Sequence, residues 1–285
     1  MTDRKLLFHL SDIHFGLEDK HALDWVKREI AERRPDAVAI TGDLTMRARH
    51  REFDAACAWI RSLDAPVTVE VGNHDLPYFN PIERFFDPYK RIRAISDKVE
   101  AEIDLPGLAI VPLKTVRRWQ PRLNWSKGWV TEAALERCLN ALDKLPDRVQ
   151  ALVTVHHPLR EVGTQGTALT RHGQTALDEL AQRPVLAVLS GHVHDAFDIM
   201  EETGHGNVRM IGAGTLSQRV RSTPPSFNEL TWDGHELNVR VRNLEHVRTR
   251  DMMIEDVPED AMPPREPGEP VAPVGNVPRI DPPVH

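Results

Sequence analysis

Leu189-Ser190-Gly191-His192-Val193-His194 closes a run of β-formers with a glycine and then presents two imidazoles one residue apart. Histidines so spaced reach one cavity only where the backbone turns, and Gly191 is the residue expected to permit that turn. One such pair says little. Its weight comes from upstream, where four further apolar runs stop in the same way. Each leaves a metal-capable side chain just past its end.

Working outward, Val185 to Leu189 reads as the strand that feeds this motif. Before it come a helix at Gly173 to Gln182 and a polar loop at Gly163 to Thr170. The strand Val149 to Val155 ends in His156-His157-Pro158. Thr131 is a good N-cap for a helix through Leu142. Leu108 to Leu113 is a strand, and 114–128 is a loop rich in arginine and tryptophan. Ile82 to Val99 has a helical pattern broken by Pro88. In the first third, strands at 5–10, 37–40 and 66–71 alternate with helices at 21–33 and 51–63. The strands stop at Ser11-Asp12-Ile13-His14, Thr41-Gly42-Asp43 and Gly72-Asn73-His74-Asp75. Such alternation with short connections marks an α/β layered sheet. After His194 the helical patterns cease. Short strands at 197–200, 207–211, 227–232 and 237–241 are expected to form a second, antiparallel sheet packed on the first.

The formal charge of −7 is unevenly placed. Residues 251–285 hold eight carboxylates against two arginines, and nine of the 22 prolines fall between Pro258 and Pro283. That segment reads as an extended or disordered acidic tail. The body, residues 1–250, is close to neutral, which argues against nucleic acid as a partner. Its arginine clusters, Arg91/Arg93, Arg117/Arg118/Arg122 and Arg219/Arg221, read as solvated surface with room for a local phosphate site. No apolar run approaches the roughly 20 residues that span a bilayer. The start of the chain runs straight into the first strand, so the chain is read as cytoplasmic. Cys57 and Cys138 are read as buried thiols.

Collected at the strand ends are Asp12 and His14, Asp43, Asn73 and His74, His156, and His192 and His194. All are oxygen or imidazole donors. That set suits Mn, Fe or Zn and not a structural cysteine-type zinc. There are too many donors for one tetrahedral ion. Two ions about 3.5–4 Å apart, sharing a carboxylate, clamp the attacking and leaving oxygens of a phosphoryl displacement. Each fragment alone has a bland explanation: an Asx turn at Asp12, a turn at Gly42-Asp43, a polar loop at 73–75, a satisfied core histidine at His156. Five in order outweigh those explanations together.

This order of motifs resembles the calcineurin-like metallophosphoesterase superfamily, over about residues 6–235. Length and the His156-His157-Pro158 form look like its bacterial class III cyclic-nucleotide phosphodiesterases. The resemblance implies an α/β fold, a four-layer αββα sandwich of two mixed β-sheets flanked by helices. It implies two divalent or trivalent ions, with Asp12, His14 and His194 on the first, Asn73, His156 and His192 on the second, and Asp43 bridging. His74 would hydrogen-bond the phosphate or protonate the leaving oxygen, with Asp75 orienting its ring. His157 would stand behind the ligands or be purely structural, with His156 the ligand of the pair. The implied activity is metal-dependent hydrolysis of a phosphate ester by a hydroxide that bridges the ions.

The surrounding loops would choose the ester. Candidates are Phe15 to Glu18, 76–81 with Tyr78 and Phe79, 114–128 with Trp119 and Trp125, and 163–172. Arg117, Arg118 and Arg171 could meet a second phosphate. The leading expectation is a small phosphodiester of cyclic-nucleotide type. The family's Leu-Asp-Ser is replaced here by Leu113-Lys114-Thr115, which counts against cyclic AMP itself. The alternatives are a pyrophosphatase for a nucleotide-lipid or dinucleotide, and a non-enzymatic scaffold that binds partners through the tail. The oligomeric state is left open, with a dimer among the options.

Overall fold

The computed structural model describes residues 4–77, 103–117 and 126–245. The expected helix at 82–99, the loop aromatics Tyr78, Phe79, Trp119 and Trp125, the arginines Arg91, Arg93, Arg118 and Arg122, and the acidic tail lie outside these residues. Two five-stranded sheets carry the fold. One runs β10-β9-β1-β2-β3 and the other β4-β5-β6-β8-β7. The first is built from β1 (Lys5–Leu10), β2 (Ala37–Ile40), β3 (Val67–Val69), β9 (Ser226–Trp232) and β10 (Leu237–Asn243). The second takes β4 (Leu108–Pro112), β5 (Gln150–Thr154), β6 (Val185–Ser190), β7 (Phe197–Thr203) and β8 (Gly206–Gly212). Helices α1 (Lys20–Arg33) and α2 (His50–Arg61) pack on the first sheet, and α3 (Glu132–Leu142) and α4 (Gly173–Leu180) on the second.

The period-two alternation of the strands creates three cores and therefore four layers. On β1, Phe8 and Leu10 face Val26 and Ile30 of α1 and Phe53 and Ile60 of α2. Leu7, next to Phe8, faces the other way. It joins Leu152, Leu189, Ile211, Leu230 and Trp232 in a core between the sheets. Val153, Val188 and Met210 point outward to Ala134, Cys138 and Leu177 of α3 and α4. Each of the large apolar chains contributes roughly 1.5–3 kcal/mol by leaving water. Cys57 is half-buried on α2 and Cys138 is buried on α3, in different cores.

The helix ends follow their local chemistry. The Asp19 carboxylate accepts from the amides of His21 and Ala22 at the start of α1. Arg34 turns left-handed after it, just before Pro35. The Thr131 hydroxyl accepts from the Ala134 amide, as its N-cap position requires.

One expectation needs correcting. The four late strands do not make a sheet of their own. β7 and β8 extend the second sheet, with β8 parallel to β6, whereas β9 and β10 extend the first, with β9 antiparallel to β1. Burial explains the split, because Ile211 and Leu230 are both needed between the sheets, one from each side. Strands β1, β2 and β3 are mutually parallel, as are β4, β5, β6 and β8. The loops that follow β1, β2, β3, β5 and β6 carry all the candidate donors, beyond carboxyl ends of parallel strands.

Candidate metal centre

The motif loops are laced to one another by backbone. The Asp12 amide donates to the Gly42 carbonyl, His14 to Asp43, and Gly191 to His156. Five of the candidate donors adopt the left-handed region: Asp12 at φ 54°, His14 at 50°, Asp43 at 53°, His192 at 69° and His194 at 62°. Non-glycine residues held there cost about 1–3 kcal/mol each and persist only where the surroundings fix them. The turn therefore comes from the histidines themselves and not from Gly191, contrary to the sequence reading. Gly191 is required for room. A Cβ there would stand 1.7 Å from Ser11 Oγ and 2.5 Å from Asp12 Oδ2.

The donors fall into two groups with Asp43 between them. In the first, His14 Nε2 lies 3.2 Å from His194 Nε2. Asp12 Oδ1 is 3.1 Å from His194 Nε2 and 3.6 Å from His14 Nε2. In the second, His156 Nε2 lies 3.1 Å from Asn73 Oδ1 and 3.5 Å from Asp43 Oδ1. The His192 ring stands edge-on to His156, their centroids 5.2 Å apart. The other oxygen of Asp43 looks to the first group, 3.8 Å from His14 Nε2. Donors about 2.1 Å from one ion stand roughly 3–3.5 Å apart, so these spacings fit a cation at each group. Asp12 Oδ1 is buried without a hydrogen bond although His194 is so close, and Asn73 Nδ2 is likewise without one. Buried polar atoms left this way call for a missing partner. The donor set therefore fits the metal pair that the sequence implied.

Outer contacts fix which nitrogen faces inward. A carbonyl only accepts, so each ring that meets one must donate Nδ1–H. His156 donates to Thr41 O at 2.8 Å, His194 to Arg219 O at 2.8 Å and His74 to Met46 O at 2.8 Å. In all three the Nε2 lone pair is left for the site, the arrangement expected of metal-binding imidazoles. His157 is different. Its Nε2 donates to Ser126 O and its Nδ1 meets the Thr115 hydroxyl, both at 3.0 Å, so neither nitrogen offers a lone pair.

Asp75 is placed otherwise than expected. The Met46 carbonyl, not Asp75, orients the His74 ring. Asp75 Oδ1 accepts from Thr45 N and Thr45 Oγ1, and Oδ2 from Leu44 N and Gly72 N. Its carboxylate is spent tying the second motif loop to the third. Adjacent side chains diverge in the short 3-10 turn Asn73–Asp75, which sends His74 outward and Asp75 inward.

Over the donors lies a small pocket of 220 Å³, lined by Asp43, Asn73, His74, His192, His194, Ser126, Lys127, Gln165, Thr167, Arg219 and Arg221. Arg219 and Arg221 had read as solvated surface. The only hint in the sequence was their pairing. Of the arginines expected near a second phosphate, Arg117 and Arg171 stack on the Trp129 indole, 4.3 Å and 4.5 Å from its centroid. Arg171 lines a separate open cleft with Arg160 and His172.

The family model for calcineurin-like phosphoesterases matches residues 6–196. The chain belongs to this family. A probable glycerophosphodiester phosphodiesterase of Arcobacter nitrofigilis is 28% identical over 165 residues, 56% of this chain and 57% of that protein. A probable cyclic nucleotide phosphodiesterase of Synechococcus is 26% identical over 174 residues, covering 59% and 61% of the two chains. The chain thus spans less than two thirds of the length of these two relatives. Both names agree with the narrower likeness to class III phosphodiesterases. Solved structures share the fold. A dimetal phosphatase from Danio rerio superposes with a TM-score of 0.59 at 14% identity, over 82% of this chain and 98% of that one. A purple acid phosphatase from yellow lupin gives 0.60 at 16%, over 85% and 52%. Among the described residues no helix is long and apolar enough to cross a membrane.

The electrostatics of this centre follow from burial and proximity. Burial opposes ionisation of Asp12 and Asp43, yet the imidazoles around them prevail and hold both carboxyls well below the usual range. Burial presses the His192 ring down to about 3 and lowers His14 as well. For His156, burial is outweighed by the Asp43 carboxylate, and the ring rises to about 9. A raised folded-state value means the His156 proton stabilises the metal-free fold fully below its ordinary 6.5. That contribution disappears as pH rises through about 9. Metal-stripped protein should therefore lose urea stability between pH 6.5 and about 9, with one imidazole titrating near 9 by NMR. Metal-loaded protein should show neither change, because an Nε2 lone pair given to a metal cannot take up the second proton. A flat stability profile for the stripped chain across that window would refute the assignment.

Proposed function

We propose that this chain is a dinuclear-metal phosphodiesterase acting on a small phosphodiester. The observation that carries the reading is Asp43, whose two oxygens face two separate groups of inward lone pairs. Asp12, His14 and His194 would hold one ion, Asn73, His156 and His192 the other, and Asp43 both. Imidazole and oxygen donors without thiolate favour Mn, Fe or Zn. Bound together, two such ions supply a water-derived nucleophile at neutral pH and neutralise phosphate oxygens. The chain does the rest. Outer hydrogen bonds fix the His156, His194 and His74 rings, left-handed turns preset five of the donors, and His74 lines the pocket, where its Nε2, with a proton, would donate to the leaving oxygen.

The phosphodiesterase names of the relatives support a diester. The pocket volume of 220 Å³ falls short of a typical ligand pocket of about 300–1,000 Å³. It would receive the phosphate and its nearest atoms. Residues 1–250 would form the hydrolase and 251–285 an appended acidic tail. Two thiols set in different cores suit a reducing cytoplasm.

The test is a substrate panel on Mn-loaded protein: bis-p-nitrophenyl phosphate, p-nitrophenyl phosphate, 2′,3′- and 3′,5′-cyclic nucleotides, and dinucleotide or UDP-sugar pyrophosphates. The expected result is two ions per chain and diester cleavage that a chelator abolishes. Faster cleavage of the pyrophosphates would replace the diester with the anhydride. Two bound ions with no ester cleaved, or no bound ion at all, would leave only a scaffold.

A further inference from the structure

The loop from β8 to β9 joins none of the five motifs, yet it is built into the centre. The Thr215 hydroxyl donates to the Asp12 carbonyl at 2.7 Å. Ser217 Oγ accepts from the Arg219 amide, and the Arg219 carbonyl receives His194 Nδ1–H. Farther along, buried Asp195, next to His194, accepts from Ser222 N at 3.0 Å and Thr223 Oγ1 at 3.4 Å. The loop is pinned on both sides of Arg219, so its side chain is delivered to a fixed place.

That place is between two imidazoles. Arg219 Nη1 lies 3.2 Å from His14 Nε2 and 3.2 Å from His74 Nε2, at the wall of the pocket. Among the described residues no carboxylate forms an ion pair with Arg219, whose Nη1 contacts are the two imidazoles and the Met46 sulfur. A guanidinium only donates. If the His14 Nε2 lone pair is given to an ion, it cannot also accept from Arg219. One N–H is then released beside the donors, where the acceptor that arrives with substrate is a phosphate oxygen. The planar fork suits phosphate better than any other side chain does.

We propose that Arg219 is a catalytic residue, its guanidinium binding a non-bridging oxygen of the reacting phosphate beside His74. The inference rests on the phosphodiesterase reading above. Arg219→Ala removes the side chain and leaves the carbonyl that His194 uses. It should lower kcat/KM for bis-p-nitrophenyl phosphate by about 10²–10³-fold, as loss of a preorganised donor does. Calorimetric affinity of the Mn-loaded protein for inorganic phosphate should fall at least about tenfold, with metal content and melting temperature unchanged. Added guanidinium ion should restore part of the rate. Arg219→Lys, which keeps charge but loses the fork, should fall between. Loss of bound metal in both variants would make Arg219 a support of the ion site and overturn the proposal. So would wild-type phosphate affinity in Arg219→Ala. If wild type binds two ions and cleaves no ester, the functional reading fails, and phosphate calorimetry on the same pair of proteins still decides the role of Arg219.

Discussion

Replacing Asp43 with alanine should abolish metal-dependent hydrolysis and empty the centre of at least one ion. The side chain reaches both donor groups with its two oxygens, Oδ2 toward His14 and Oδ1 toward His156. Oδ1 also accepts from the His74 amide at 2.8 Å, which sets the third motif loop against the second. Asp43→Asn separates these roles. It keeps an oxygen for the His74 amide but removes the charge that holds a proton or a cation on His156. Ion-pair partners removed from buried charges cost several kcal/mol. Losing Lewis-acid stabilisation of that size slows the reaction by roughly a thousandfold or more. Metal analysis and the diester assay, run together on both variants, check this. An Asp43→Asn protein that retains two ions and stays within about tenfold of wild type would show that Asp43 does not bridge.

Much of this was legible because the donors follow short apolar runs bounded by turn residues, which read as buried strands. Phe8-His9-Leu10, Ala37 to Ile40 and Val185 to Leu189 are buried on both faces over most of their length, as central strands between two cores must be. A polar residue just past such a run has little to do but reach into the cleft beyond it. Where the reading went astray, the cause was geometry that residue type does not encode. Gly191 looks the same whether it supplies positive φ or mere room, and only the 1.7 Å approach of Ser11 Oγ distinguishes the two. Asp75 follows His74 in sequence, yet in a 3-10 turn the two side chains part, and two of its partners are amides some thirty residues away. Arg219 sits in a connection without periodicity, where an arginine defaults to surface. Its role depends on Thr215, Ser217 and Asp195 holding that connection against Asp12 and His194. The late strands gave their own positions but not their sheet, because alternation fixes a face and never a neighbour.

His74→Ala should part from Asp43→Ala in metal content, keeping both ions while losing most of the rate. His74 stands near His14 and Asp43, close enough that the three could be taken for a third cation site. The contacts argue otherwise. Each of the two donor groups is complete without it, and its Nε2 meets Arg219, a cation. The truncation leaves the backbone amide on Asp43 Oδ1 intact, so the bridging carboxylate keeps its orientation. What disappears is an imidazole that Met46 O holds at a fixed angle over the pocket. A positioned acid of this kind contributes about 10²–10⁴-fold, so kcat should drop by that factor with two ions still bound. The leaving group separates the two roles open to the ring. An alkyl phosphodiester needs its departing oxygen protonated, and p-nitrophenolate does not. If His74 is the acid, the alkyl ester suffers far more than bis-p-nitrophenyl phosphate. Equal losses on both esters would confine His74 to binding the phosphate, and an emptied site would make it a ligand after all.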